Sequence, residues 1–198
     1  MKLVRAQPLK FTAQKVETLV CLDLGTGKGR NKPEGFIGVD IIGHEGNPPK
    51  KIDGVDLCHD LRTKWPWKAN TVDEAQSNYL LQYFTPKERV HFANELYRVL
   101  KPGAKAVIYT PHWCASKAYL DVAVQWPPVS EGWFAVLNKA WREAQNSVDQ
   151  SGYVCNFENT LGYGLHPHIV PRTQEYQHQA LSFWKEAAQD LIVTLIKV

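Results

Sequence analysis

Apolar residues fall in short runs divided by glycine, proline and charge. Residues 18–24 (TLVCLDL) form the first run, and it ends in glycine. That pattern predicts a short buried parallel strand. FIGVD at 36–40 predicts a second strand, IDGVDL at 52–57 a weaker third and AKAVIYT at 104–110 a fifth. Residues 72–78 (VDEAQSN) predict the fourth, although Glu74 and Gln76 are polar for a central strand. The best helix signal precedes the fifth strand. Thr85-Pro86-Lys87-Glu88 is a capping box with proline at the first helical position. Phe92, Leu96, Val99 and Leu100 follow as one stripe, and Pro102-Gly103 closes the segment. Strand, capped helix and strand in that order predict a right-handed parallel crossover. The front 110 residues therefore predict a doubly wound α/β sheet.

Beyond residue 110 the pattern changes. Residues 112–131 read as loop, with Trp126-Pro127-Pro128 as a rigid stretch. Residues 132–146 predict a helix with Trp133, Phe134, Leu137 and Trp141 on one face. A strand over 153–165, a helix over 173–190 and a strand over 191–197 complete the chain. A length of 198 residues fits one domain. Its expected parts are a core over 16–111, an elaboration over 112–170, and a closing helix and strand over 171–198. Hydrophobic residues at 44% and charged residues at 22% are a globular balance. A net charge of +3 without a basic tract leaves nucleic acid possible as a partner but does not point to it. No apolar run is long enough for a membrane span, and the start lacks the apolar core of a signal peptide. Cys21, Cys58, Cys114 and Cys155 are too scattered for a zinc knuckle or a disulfide framework, so a reducing cytoplasm is expected. The first 64 residues hold 8 of the 13 glycines but only Phe11 and Phe36 among the aromatics. The front reads as tight-turning backbone and the back as bulky side chains.

Chemistry begins at the glycines. LDLGTGKG (Leu22 to Gly29) follows the first strand, and Asp40 ends the second. Bare backbone admits a ligand closely. In open α/β sheets the ligand lies at the carboxyl ends of the strands. A carboxylate there can accept hydrogen bonds from ribose hydroxyls. A dinucleotide or S-adenosylmethionine fits this outline. The dinucleotide fingerprint needs its third glycine three residues after the second, whereas here the glycines are Gly25, Gly27 and Gly29. A dinucleotide also needs a helix N-terminus for its pyrophosphate. Pro33, Gly35 and the second strand leave no room for one before Asp40. S-adenosylmethionine has no phosphate, and the spacing favours it.

LDLGTGKG with FIGVD resembles motif I and the following acidic position of class I S-adenosylmethionine-dependent methyltransferases. HDLRTKWPW, VDEAQSNYLLQYF and ELYRVLKPGAKAVIYTP extend the resemblance over roughly residues 16–111. More weakly, WPPVSEGWF and the HPH segment resemble methyltransferase-like proteins encoded by tailed phages. The resemblance implies a Rossmann-like, mostly parallel sheet with an antiparallel C-terminal strand and an inserted lid. It implies Asp23, Gly25 and Gly27 at the methionine pocket and Asp40 at the ribose. Asp60 and Leu61 would meet adenine, and Ser77 and Asn78 would face the methionine end and the acceptor. Lys28, bulky among glycines, would pair with the methionine carboxylate or point to water. Where many relatives read Leu-Glu-His this chain reads Leu81-Gln82-Tyr83, so a charge at the middle position is absent.

The implied reaction is in-line methyl transfer to an unidentified acceptor, for which a base is needed only if the acceptor must lose a proton. His112, Tyr79 and His166 are the candidate bases. No metal is expected, although His112-Trp113-Cys114 and His166-Pro167-His168 carry metal-binding side-chain types. The alternative is a non-catalytic module that uses its aromatic back half to hold a partner.

Overall fold

The computed structural model describes residues 19–29, 31–41, 52–145 and 152–198. Among these, seven strands form one sheet: β1 (Cys21–Leu24), β2 (Ile37–Asp40), β3 (Leu57–Cys58), β4 (Val72–Asn78), β5 (Leu100–Pro111), β6 (Phe157–Leu165) and β7 (Ala188–Lys197). The order is β3-β2-β1-β4-β5-β7-β6. Strands β1 to β5 pair in parallel, and β7 runs antiparallel to β5 and to β6. The chain places β2 and β3 on one side of β1, then crosses to place β4 on the other. This is the doubly wound, Rossmann-like sheet with an antiparallel C-terminal strand that the sequence predicts.

Helix α1 (Pro86–Val99) begins with the full capping box. The Thr85 hydroxyl accepts from the Glu88 amide, and Glu88 Oε2 accepts from the Thr85 amide at 2.8 Å. Its apolar stripe buries Phe92, Leu96 and Val99 against the sheet. Phe92 lies edge-on to Trp65 at 5.3 Å and to Phe84 at 5.9 Å. On β4, Ala75 and Ser77 point into this core and are fully buried. Glu74 and Gln76 point the other way and are half-buried. There Glu74 meets Lys105 of β5 at 3.2 Å, and Gln76 donates to Asp23 Oδ1 and to the Asn31 carbonyl, each at 2.9 Å. The described residues between β1 and β2 form turns, not a helix. Gln76 on that face of β4 ties down the turn at Asn31.

Several boundaries differ from the expected ones. The third strand shrinks to Leu57–Cys58 because Gly54, at φ +87°, turns the chain just before it. The fifth lengthens to Leu100–Pro111, its register against β4 jumping between Val72 and Glu74 around Pro102-Gly103. The expected helix over 132–146 is two helices, α2 (Glu131–Val136) and α3 (Lys139–Ala144). Asn138 divides them: its side chain accepts from the Trp141 amide at 2.9 Å and starts a new helix. Residue 146 lies outside the described residues, as does the start of the first predicted strand. Helix α4 (Gln174–Phe183) stops earlier than expected, at extended Trp184 and left-handed Glu186 (φ +67°), and β7 starts at Ala188. The sixth strand begins at Phe157 rather than 153.

Residues 112–130 hold one short 3-10 turn, Ser116–Tyr119, in otherwise irregular chain. Arg89 of α1 fastens this segment. Its guanidinium, 2% exposed, donates to the carbonyls of Leu81, Gln125 and Pro127. No helix of the described residues is long and apolar enough to cross a membrane.

The cap carries a prediction. Thr85→Ala is expected to lower stability by about 1 kcal/mol. Urea unfolding would show a lower midpoint with an unchanged slope. An unchanged midpoint would contradict the cap's role.

Candidate active site

A cleft of about 700 Å³ opens at the carboxyl ends of β1, β2 and β4, where the strand order reverses. Ligand sites commonly run from about 300 to 1,000 Å³. Asp23, Gly25, Thr26, Gly27 and Lys28 form one wall, and Asp40, His59, Asp60, Leu61 and Arg62 a second. Asn78, Tyr79, Leu80, Tyr83 and Phe84 form the third.

The first wall is bent by glycine. Gly27 has φ +58°, and a Cβ there would meet nothing within 4 Å. Its amide donates to Asp40 Oδ2 at 2.8 Å, so the β1 loop is tied to the end of β2. Gly29 serves a different need. A Cβ on it would lie 2.7 Å from the Gly54 Cα, so two backbones meet with no space for a side chain. Asp23, 2% exposed, is oriented by Gln76. Lys28 is exposed at the cleft.

The second wall depends on buried tryptophan. Trp65, 1% exposed, donates its indole N–H to the Leu61 carbonyl at 3.0 Å. Its own amide donates to Glu95 Oε2 at 2.7 Å. Arg98 pairs with Glu95 at 2.7 Å and donates to the carbonyls of Trp65 and Trp67. The Asp60-Leu61 turn is thus clamped to α1 from below. Asp60 accepts from the Arg62 amide and guanidinium, and that guanidinium holds its carboxyl below the usual range.

On the third wall Tyr79 has φ +54°, unusual for a bulky residue. Its amide donates to the Tyr109 carbonyl at 2.9 Å and its hydroxyl to Asp190 Oδ1 at 2.9 Å. Burial, then Asp190, pushes the phenol up to about 12, so at neutral pH it is a donor.

The structure brings Asp23, Gly25, Gly27, Asp40, Asp60, Leu61, Asn78 and Tyr79 to one cleft. Ser77 is absent from its lining: fully buried, it donates to the Leu24 carbonyl at 2.9 Å and ties β4 to β1. His112 lies at a second cleft of about 470 Å³, beside Trp113 and Cys114. His112 Nε2 sits 2.7 Å from Glu131 Oε1 and Nδ1 sits 3.0 Å from Cys114 Sγ. The hydrogen bond from His112 draws the Glu131 carboxyl down to about 2. His166 lines neither cleft; its Nδ1 accepts from the His168 amide at 3.3 Å. Trp126-Pro127 belongs to the segment held by Arg89. Thr26 and His59 escaped the sequence reading, although they flank motif residues. Thr26 Oγ1 and His59 Nε2 are buried polar atoms without a hydrogen-bond partner, and both residues line the first cleft. Buried polar atoms are ordinarily satisfied, so these two fit a bound polar ligand.

The sheet order, the antiparallel last strand and the cleft at the switch point define the Rossmann-like fold of class I methyltransferases. Residues 22–108 match the family model described as a methyltransferase domain. No curated protein matches the sequence. Among solved structures, a methyltransferase from Archaeoglobus fulgidus superposes with a TM-score of 0.60 at 16% identity, over 91% of this chain and 87% of that one. One from Mesorhizobium loti gives 0.53 at 15% identity, over 91% of each chain. The 1,6-didemethyltoxoflavin-N1-methyltransferase of Burkholderia thailandensis, solved with that compound and S-adenosylhomocysteine, gives 0.51 at 15% identity over 90% and 71%.

The clamp beneath the second wall responds to acid. Arg98 first, then the Trp65 amide, holds the Glu95 carboxyl below its ordinary range against the opposing effect of burial. A folded value below the unfolded one, about 4.3, makes the stabilisation complete above that pH and lost as pH falls through the folded value. Glu95→Gln is therefore expected to melt lower than wild type at neutral pH. The gap should close as the pH falls below about 4. A gap that stays constant across a melting series would contradict the clamp.

Proposed function

We propose that the first cleft binds S-adenosylmethionine and that the protein transfers its methyl group to an acceptor entering beside Asn78 and Tyr79. The observation that carries this reading is the Asp40 carboxylate. It stands at the end of β2, fixed by the Gly27 amide at 2.8 Å, on the cleft at the switch point. Asp40 would hold the ribose hydroxyls. Asp60 and the Leu61 backbone would meet adenine, and Asp23, Gly25 and Gly27 would shape the methionine pocket. Thr26 Oγ1 and His59 Nε2 offer two further polar contacts. The bound cofactor supplies an electrophilic methyl group, so the protein's main task is alignment. Asn78, Tyr79 and Tyr83 stand where they can orient the acceptor. The phenol of Tyr79 donates a hydrogen bond and does not take a proton at neutral pH. The Burkholderia enzyme, which shares the fold, binds S-adenosylhomocysteine, and this supports the same cofactor here.

Calorimetry with S-adenosylhomocysteine tests the reading. Binding is expected, and Asp40→Ala should weaken it by about 1–3 kcal/mol through lost charged hydrogen bonds. No binding to the folded protein at millimolar ligand would sink the proposal. Unchanged affinity in the variant would remove Asp40 from the ribose. Transfer of label from methyl-labelled cofactor to a panel of acceptors separates an enzyme from a module that only binds.

A further inference from the structure

The second cleft carries chemistry that methyl transfer does not use. His112 follows β5 directly and is 5% exposed, its amide held by the Gln189 carbonyl at 3.0 Å. Glu131 is ionised and can only accept, so His112 Nε2 carries the proton between them. The Trp113 indole also donates to Glu131, at 3.0 Å. On the other side of the ring, the Cys114 amide points at Nδ1 at 3.3 Å. An amide can only donate, so Nδ1 holds a lone pair. That lone pair also faces Cys114 Sγ at 3.0 Å, whose next acceptor is the Ala188 carbonyl at 3.7 Å. A carboxylate, an oriented imidazole and a thiol therefore stand in series, the arrangement that activates a nucleophile.

We propose that Cys114 is a base-activated thiol, positioned by His112 and Glu131, which adds covalently to a planar α,β-unsaturated carbonyl compound seated in this cleft. The cleft supports an apolar, flat ligand. Trp113, Tyr119, Phe183 and Trp184 line it and are each between 46% and 79% exposed. Lys185 on its lining is the cation available to an enolate oxygen. Acyl transfer is disfavoured because the neighbouring amides are already used. Ala115 donates to the His112 carbonyl and Ser116 to Glu186, which leaves no pair of these for an oxyanion. In the addition, the thiol proton passes to Nδ1 and the sulfur electron pair forms the C–S bond at the β-carbon. The C=C pair moves to give the enolate, and Nδ1–H returns the proton to the α-carbon. Nothing leaves, and no oxidant or reductant is needed.

The test follows the four cysteines of the folded chain by peptide mass spectrometry during reaction with N-ethylmaleimide and N-phenylmaleimide. Cys114 is expected to react faster than Cys58 by on the order of tenfold or more, and to saturate with the phenyl reagent. Glu131→Gln should slow Cys114 by about tenfold and leave Cys58 unchanged. Equal rates at Cys114 and Cys58, or an unchanged rate in a folded Glu131→Gln variant, would overturn the proposal. Circular dichroism establishes whether that variant is folded. Phe183→Ala gives a second arm at a side chain 79% exposed. In it the phenyl-to-ethyl rate ratio at Cys114 should fall, and an unchanged ratio would overturn the cleft as the ligand's seat.

Discussion

The switch-point cleft depends on three backbones meeting where no side chain fits. A Cβ on Gly38 would lie 2.0 Å from the Gly54 carbonyl, and one on Gly54 would lie 2.5 Å from the Gly29 Cα. The β1 loop, strand β2 and the turn before β3 are therefore in direct backbone contact. Asp56 seals the junction, accepting from the Gly38 amide at 2.7 Å and from Lys32 at 2.6 Å. This junction takes the place of a helix between β1 and β2. It draws the loop down onto β2, and the bond from Gly27 to Asp40 becomes possible. The glycines thus answer two different demands. Gly29 is small so that protein can meet protein, and Gly27 is small where the cleft is open.

Helix α1 organises the rest of the site from behind. Glu95 and Arg98 grip Trp65 and Trp67 and so set the Asp60-Leu61 turn. Arg89 grips residues on both sides of the third wall, from Leu81 to Pro127. Asn94 receives the amides of Val154 and Cys155 just before β6. One face of the helix packs into the core while its polar side chains reach separate loops. A change in α1 would therefore reach the cleft through hydrogen bonds to carbonyls, without touching a ligand.

Much of this was legible in the sequence because local chemistry carried it. Thr85-Pro86-Lys87-Glu88 names its own capping box, and the glycine run followed by Asp40 places the switch-point cleft. What escaped were partnerships between distant residues. Gln76 looked wrong for a central strand because its reasons, Asp23 and the Asn31 carbonyl, lie 53 and 45 positions away. Trp65 gives no local sign that it is the buried prop beneath the Asp60-Leu61 turn. Ser77 matched its motif position, yet at a strand end the alternation of side chains decides direction, and its hydroxyl turns inward. The long helix over 132–146 failed on one residue, since Asn138 satisfies both an apolar period around it and a cap of its own.

The two clefts share one structural origin, the first residues of β7. Gln189 holds the His112 amide, and Asp190 holds the Tyr79 hydroxyl and the Lys117 ammonium. Gly164 of β6 lies opposite Asp190, and a Cβ there would come within 3.0 Å of the Asp190 side chain. The glycine leaves room for a carboxylate between the sites. That carboxylate accepts the hydrogen bond of the Tyr79 hydroxyl and, together with burial, biases the phenol against ionising. An acceptor reaching the first cleft past Tyr79 would therefore meet a phenol whose one proton is already given to Asp190, with only oxygen lone pairs left to accept. A nucleophile that carries an N–H or O–H suits such a wall. An acceptor that must lose a proton would have to give it to some group other than Tyr79.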